Sequence, residues 1–343
     1  MQRDLQSIGP REAMRLYLDD RVDLRSRSVE AHRYRLRQLV KWLEAEGFDD
    51  LNDLTGRDLA RFRHYRVSEC GVAPATLRGN SYTYKAFFDF CESIEAVQDG
   101  LAAKVRIPSL NEDDLVRDHD LHPDRVRSIL DHIGRFSYAS RTHAMLALFF
   151  HVGCRSGALR GLDIRDVHLD DRYVEFRHRP ETDTPLKNGR DGERPVALAD
   201  EVATILGDYF EVNRVSQRES SGRRPFFTTA QGRVSQSSIR ESMYRVTRPC
   251  MMGDCPHDRD PETCEAMETG LACKCPSSRA PHDIRSASIT RMLREDKPRD
   301  AIEKRVNATE EVIEEHYDER TLEERREFAR NRMEERRDYF DEI

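Results

Sequence analysis

The chain has 343 residues, a formal net charge of −7, 37% hydrophobic residues and 35% charged residues. This length allows two domains with cores of their own. The charge balance argues against a protein that coats nucleic acid by bulk charge, and no apolar run reaches the length of a membrane span.

Met1-Gln2-Arg3-Asp4 opens no signal-peptide apolar core, so the expectation is a soluble, cytoplasmic protein without a membrane partner. Lysine occurs only at 41, 85, 104, 187, 274, 297 and 304, leaving arginine to supply nearly all the positive charge. Abundant Asp and Glu beside scarce lysine is the balance a high-salt, halophilic cytoplasm favours, although GC-rich codon usage also favours arginine. Eight cysteines are present, and Cys250, Cys255, Cys264, Cys273 and Cys275 crowd one segment, which in a cytosolic chain points to metal rather than disulfides.

Residues 1–107 read as an all-helical unit. A first helix begins at Arg11 after Pro10. A second runs from Ser28, read as its cap, to Glu46, with an apolar stripe at Tyr34, Leu36, Leu39, Val40, Trp42 and Leu43, and Gly47 stops it. Thr55-Gly56-Arg57-Asp58 opens a third helix and Ala73-Pro74-Ala75-Thr76 a fourth. These two interleave Arg57, Arg61, Arg63, Arg66, Arg78 and Lys85 with Tyr82, a mixture suited either to a DNA backbone or to a solvated face. Residues 108–120 are polar and acidic and read as a linker.

In the second unit, residues 121–343, helices are expected at about 122–133 and 138–151, the latter ending at Gly153-Cys154-Arg155-Ser156-Gly157. Ile164, Val167 and Leu169, then Tyr173, Val174 and Phe176, read as strands around a turn at Asp170-Asp171. Lys187-Asn188-Gly189 is a second turn before a strand at Arg194-Pro195-Val196-Ala197-Leu198, so a small antiparallel sheet is set among helices. Helices follow near 200–215 and 235–247. A cysteine-rich insertion at 250–275 then leads to Pro281-His282-Asp283-Ile284-Arg285. Pro281 opens a helix there, and His282 and Arg285, three apart, share a face that suits an oxyanion. Further helices are read at 299–305, at 310–317 and in a charged tail at 320–343.

Gly153-Cys154-Arg155-Ser156-Gly157-Ala158-Leu159 resembles the first arginine box of tyrosine recombinases, the phage-integrase and Xer type. Lys187 ahead of Arg194–Leu198 looks like that family's β-turn lysine, and His282-x-x-Arg285 like its His-x-x-Arg box. Asn307-Ala308-Thr309 to Tyr317 looks like its Gly-His-Ser to tyrosine segment. The resemblance covers roughly 140–320 plus a helical N-terminal unit.

It implies a mainly α fold: a SAM-like, core-binding N-terminal domain and a mostly α catalytic domain with a small antiparallel sheet, similar to topoisomerase IB. It implies site-specific cleavage and rejoining of double-stranded DNA by a homotetramer through a covalent 3′-phosphotyrosine, with no ATP and no catalytic cofactor. By this resemblance Arg155 and Arg285 clamp the phosphate, His282 gives acid/base support, Lys187 is the general acid and Tyr317 the nucleophile.

Plainer roles stand beside each residue. Arg155 could cap a buried helix, Lys187 could be an ordinary turn residue, and Tyr317 could be packing, with Tyr339 a distant second nucleophile. Two positions depart from the family pattern. Ala308 falls where a second histidine or tryptophan is expected, with Asn307 in place of Gly and able to hydrogen-bond a phosphate instead. Ala158 falls where an acid is expected. The alternative function is a catalytically weak or inactive DNA-binding protein that keeps the fold. The spacing of Cys250, Cys255, Cys264 and Cys275, with His257 or Cys273 as substitutes, suits a structural zinc ion that pins the entry to the His282 helix. A zinc-dependent hydrolase is disfavoured, because so many close thiols would leave no open metal position.

Overall fold

The structure is a computed structural model that describes residues 5–24, 26–111, 121–317 and 330, with the backbone alone at 26, 27 and 314–317. The chain divides into two compact units, residues 1–118 and 119–343. The fold is mostly helical, with small antiparallel sheets in the second unit. Among the described residues no helix is long and apolar enough to cross a membrane.

The first unit holds α1 (Pro10–Asp20), α2 (Ser26–Ala45), α3 (Gly56–Ser68) and α4 (Pro74–Ser93). The helix expected to start at Ser28 starts at Ser26, so Ser28 is already helical and cannot cap. At α3 the Asp58 carboxylate accepts from the Thr55 N–H at 3.1 Å and from its hydroxyl at 2.6 Å, which satisfies an otherwise orphaned donor. Tyr17 of α1 is fully buried and meets Phe87 and Phe90 of α4 edge-on, with ring centroids 5.6 Å apart in each case. Leu36, Leu39, Leu43, Phe62, Phe87 and Phe88 complete this core, each worth about 1.5–3 kcal/mol of burial.

In the second unit α5 (Pro123–Phe136) and α6 (Arg141–Val152) come first, then the short α7 (Ser156–Gly161). Residues 143–150 of α6 are all buried, as a helix apolar on every face must be. A three-stranded antiparallel sheet follows in the order β1 (Val167–His168), β2 (Tyr173–Phe176), β3 (Arg194–Ala197), with Val174 opposite Val196 and Phe176 opposite Arg194. Pro195 is accommodated because β3 is an edge strand.

The strand expected from Ile164 begins only at Val167. Residues 164–166 form a single 3-10 turn, closed by Asp166, whose carboxylate accepts from the Asp163 N–H at 2.8 Å. After α8 (Asp200–Asp208), a π turn over Tyr209–Asn213 ends the helical run short of 215. A two-residue ribbon not expected from the sequence, β4 (Thr228–Thr229) with β5 (Gly232–Arg233), precedes α9 (Gln236–Val246).

The cysteine segment is tied down on both flanks. Arg125 donates to the carbonyls of Thr247 at 2.6 Å and Ser277 at 3.1 Å, Arg248 donates to the Ala266 carbonyl, and the Arg279 N–H reaches the Thr247 hydroxyl at 2.7 Å. Next comes α10 (Pro281–Arg294), which packs against α5, α6 and α9 and against the two helices after it, α11 (Arg299–Val306) and α12 (Glu310–Tyr317). Ile289, Met292 and Leu293 of α10 form a small separate core with Ile302, Val306 and Ile313, which seats α11 and α12 on α10. The tail from 318 lies outside the described residues, residue 330 excepted.

Candidate active site

The site is assembled where three helix ends meet: the C-terminus of α6, the N-terminus of α10 and the C-terminus of α11. Gly153 closes α6 in the left-handed region at φ +68°, and Arg155 follows as the residue preceding α7. Arg285, 1% exposed, lies one turn into α10. Its guanidinium donates to the Gly153 carbonyl and, at 2.7 Å, to the Val306 carbonyl. Arg155 donates to the next carbonyl, Asn307, at 2.9 Å. Both predicted clamp arginines are therefore drawn to adjacent carbonyls at the end of α11. Those carbonyls lack helical partners and carry the negative end of the helix dipole.

Two arginines that the sequence reading passed over join them. Arg194 of β3 lies with its guanidinium 4.7 Å from the Phe176 ring centroid and donates to the Arg305 carbonyl at 2.8 Å. Arg305 in turn donates to the carbonyls of His151 at 3.2 Å and Ala197 at 3.1 Å. Burial lowers the Arg194 pKa to about 10; the Cys154 thiol opposes this, and the charges of Arg285, Arg155 and Arg305 add to it. The one sequence signal for Arg194, its place at the start of a strand, is shared by many residues that do no chemistry.

Lys187 is exposed, in the turn between β2 and β3. The base of this hairpin is anchored to buried charge. Arg179 makes a bidentate pair with Asp166 at 2.7 and 2.6 Å, and Arg223 links Thr184 at 2.7 Å to Asp163 at 2.8 Å. Nearer the lysine, the Leu186 N–H donates to His178 Nδ1 at 3.0 Å, and the Asn188 amide donates to Asn307 Oδ1 at 2.8 Å. The lysine turn thus reaches Asn307, whose own carbonyl holds Arg155 and whose neighbour's carbonyl holds Arg285.

His282 is exposed at the first turn of α10, on the face it shares with Arg285. Tyr317 is the last described residue of α12, with its backbone ten residues past Asn307; its side chain lies outside the described residues, as does all of Tyr339. Arg155, Arg285 and the Lys187 turn come together on residues 306–307, and α12 follows directly. Several guanidiniums held against backbone carbonyls suit a phosphate, which would accept in bidentate fashion what the carbonyls accept singly.

Cys250, Cys255 and Cys264 are part-buried, Cys273 is exposed and Cys275 is buried. Among the described residues no three Cys, His, Asp or Glu side chains converge as a metal shell. On the N-terminal unit, three of the residues read as a DNA face make contacts within the unit. Arg61 pairs with Glu46 and Asp58, Lys85 pairs with Asp89 at 3.5 Å, and Arg66 is 9% exposed and bonded to Gln38 at 3.3 Å. Arg57, Arg63 and Tyr82 are exposed.

No protein-family model matches the chain. It is similar to a tyrosine recombinase XerC of Roseiflexus castenholzii, 28% identical over 213 residues, a match spanning 62% of this chain and 63% of that protein. Among solved structures it is similar to the Tn1549 transposon integrase in complex with a circular intermediate DNA, with TM-score 0.68 and 15% identity over 96% of this chain and 99% of that one. It is also similar to a lambda integrase dimer bound to a core site, with TM-score 0.64 and 13% identity over 91% of this chain and 77% of that one. The chain has the tyrosine recombinase, or integrase, fold.

Within this integrase fold the two departures noted in the sequence have physical accounts. Ala158 is buried, 8% exposed, and the Asn307 carbonyl accepts from Arg155 at 2.9 Å, a backbone acceptor for the arginine where the side chain at 158 offers none. Ala308 packs against the small core of Ile302, Val306 and Ile313. The Asn307 side chain accepts from Asn188, whereas the sequence reading had it available to a phosphate.

Proposed function

We propose that this chain is a site-specific DNA recombinase that cleaves and rejoins double-stranded DNA through a 3′-phosphotyrosine. The observation that carries the reading is the convergence of Arg155, Arg285 and the Lys187 turn on residues 306–307, directly ahead of the helix bearing Tyr317. In the reaction, the Tyr317 oxygen attacks phosphorus and the bond from phosphorus to the 5′-oxygen breaks. Lys187 protonates the leaving oxygen while His282 takes the phenolic proton. Arg155 and Arg285 exchange their carbonyl partners for the non-bridging oxygens, whose charge grows in the transition state. Rejoining is the reverse, so the energy of the bond is kept and no ATP is consumed. The partner is duplex DNA, engaged by a homotetramer.

The test is a suicide substrate nicked near the cleavage site, with the covalent adduct resolved on a denaturing gel. Wild type forms the adduct and Tyr317→Phe does not. Sequence-independent binding without any adduct would favour instead a DNA-binding protein that keeps the fold, a reading supported by the apolar Ala308 where a further phosphate donor would sit.

For the cysteine segment we propose a structural zinc ion on Cys250, Cys255, Cys264 and Cys275, whose side chains would have to turn toward one point. The support is composition. Among the described residues the segment buries little beyond Ala266, Ala272 and Cys275, and a cross-link would replace the missing core. Elemental analysis of the purified chain should find one zinc per molecule, and stripping it should lower Tm. A zinc-free chain of unchanged stability would dismiss the site. The scarcity of lysine beside abundant Asp and Glu supports a high-salt setting, to be checked by whether folding persists in molar KCl.

A further inference from the structure

Three successive carbonyls at the end of α11 accept from three arginines of different origin. Arg305 accepts from Arg194 of β3 at 2.8 Å, Val306 from Arg285 of α10 at 2.7 Å and Asn307 from Arg155 at 2.9 Å. The backbone can fan these carbonyls out because Asn307 leaves the helix in the left-handed region, at φ +53°, which Asn and Gly adopt most readily. Gly would suffice for that turn. Asn adds an amide, and its Oδ1 accepts from Asn188 at 2.8 Å, next to Lys187. The fit is close. A Cβ built on Gly192, on the far side of the same turn, would lie 2.8 Å from Asn307 Nδ2 and 3.2 Å from the Leu186 Cβ. Asn307 therefore holds Arg155 through its backbone carbonyl, one residue after the carbonyl that holds Arg285, and the lysine turn through its side chain.

We infer that Asn307, through Asn188 and the space left by Gly192, is the positioning residue that sets the Lys187 turn in register with the Arg155–Arg285 pair. This rests on the recombinase reading and deepens it. Proton transfer to a leaving oxygen requires the donor within hydrogen-bond reach at the moment the bond breaks, so the placing of the turn that carries Lys187 matters to the rate. The amide pair supplies that restraint from the same carbonyl-bearing segment that orients the clamp.

The chemistry gives a readout that general loosening of the fold would not move. Replacing the bridging 5′-oxygen of the scissile phosphate by sulfur yields a leaving group that departs as a thiolate and needs no protonation. Asn307→Gly keeps the left-handed turn and all three carbonyls, and removes only the amide. It and Asn188→Ala should each slow adduct formation on ordinary DNA by roughly tenfold or more. On the sulfur-bridged DNA both should cleave within about threefold of wild type. The double variant should be no slower than the worse single one, since both remove the same link. Equal loss on the two substrates, or no loss on ordinary DNA, would overturn the inference while leaving the recombinase reading intact. No adduct from wild type on either substrate would overturn both.

Discussion

Gly153→Ala probes how tightly the end of α6 is built into the site. Gly153 sits at φ +68°, where an alanine costs about 1–2 kcal/mol. The new Cβ would lie 3.0 Å from Val306 Cγ1, 3.1 Å from Ser288 Oγ and 3.4 Å from Met292 Cε. Val306 and Ser288 are fully buried and Met292 is 4% exposed, so none can swing into solvent, and overpacking adds ~1–3 kcal/mol. The total is about 2–5 kcal/mol, equivalent to a fall in Tm on the order of 5–15 °C for a unit of this size. Urea denaturation followed by far-UV circular dichroism measures it. Gly153→Asn separates the two contributions, because Asn tolerates the left-handed region but carries the same Cβ. A loss below about 0.5 kcal/mol in the alanine variant would refute the packing argument. Full stability in the asparagine variant would assign the whole effect to backbone conformation.

Asp163, 1% exposed, receives Arg223 and Arg233, so Asp163→Asn should destabilise by about 3–5 kcal/mol in chemical denaturation. Burial alone would raise the Asp163 pKa, but the hydrogen bonds from Arg223 and Arg233 prevail and hold it below 3.8. Its stabilising contribution is therefore present above about pH 4 and lost as pH falls through the folded value, an acid limb that the asparagine variant should lack. His151 behaves in the same direction for a different reason. Burial first, then the charges of Arg305 and Arg291, lower its pKa from 6.5 to about 4, so the unfolded chain binds the extra proton between those values. Stability should decline as pH drops from about 6.5 to about 4, and His151→Asn should flatten that part of the profile. Arg285→Lys keeps a charge but cannot reach the Gly153 and Val306 carbonyls with one planar fork, and adduct formation should fall by at least about a hundredfold.

Much of the candidate site could be read from residue order, because a phosphate clamp would need particular side chains on particular local elements. Arg155 after a helix-ending glycine, Lys187 in a turn and His282 with Arg285 behind a helix-opening proline are local patterns. What could not be read was how they are joined. Arg194 looked like an ordinary strand residue, and its neighbourhood with Arg155 and Arg285 exists only because β3 lies beside the end of α11. Asn307 looked like a stand-in for glycine with an amide to offer a ligand. Its bond to Asn188 joins positions 119 residues apart, and no local signal reports such a pair. The error at Ile164 has the same origin. Its apolar alternation with Val167 and Leu169 suited a strand, but the backbone bond from the Ile164 N–H to the Arg224 carbonyl and the Asp163–Asp166 capping turn it into a 3-10 segment.

By itself the sequence determined the helical run, the small sheet near 167–197, the chain order of the candidate catalytic groups and the two places, Ala158 and Ala308, where the family pattern is broken. These follow from side-chain periodicity, turn chemistry and the covalent order of the chain, all of which act over a few residues. Only the tertiary structure decided which carbonyls hold the arginines, that Asn307 links clamp to lysine turn, and that Ala308 faces a small apolar core. These depend on where the ends of α6, α10 and α11 meet. That meeting is set by the packing of distant apolar faces, so no short stretch of sequence contains it.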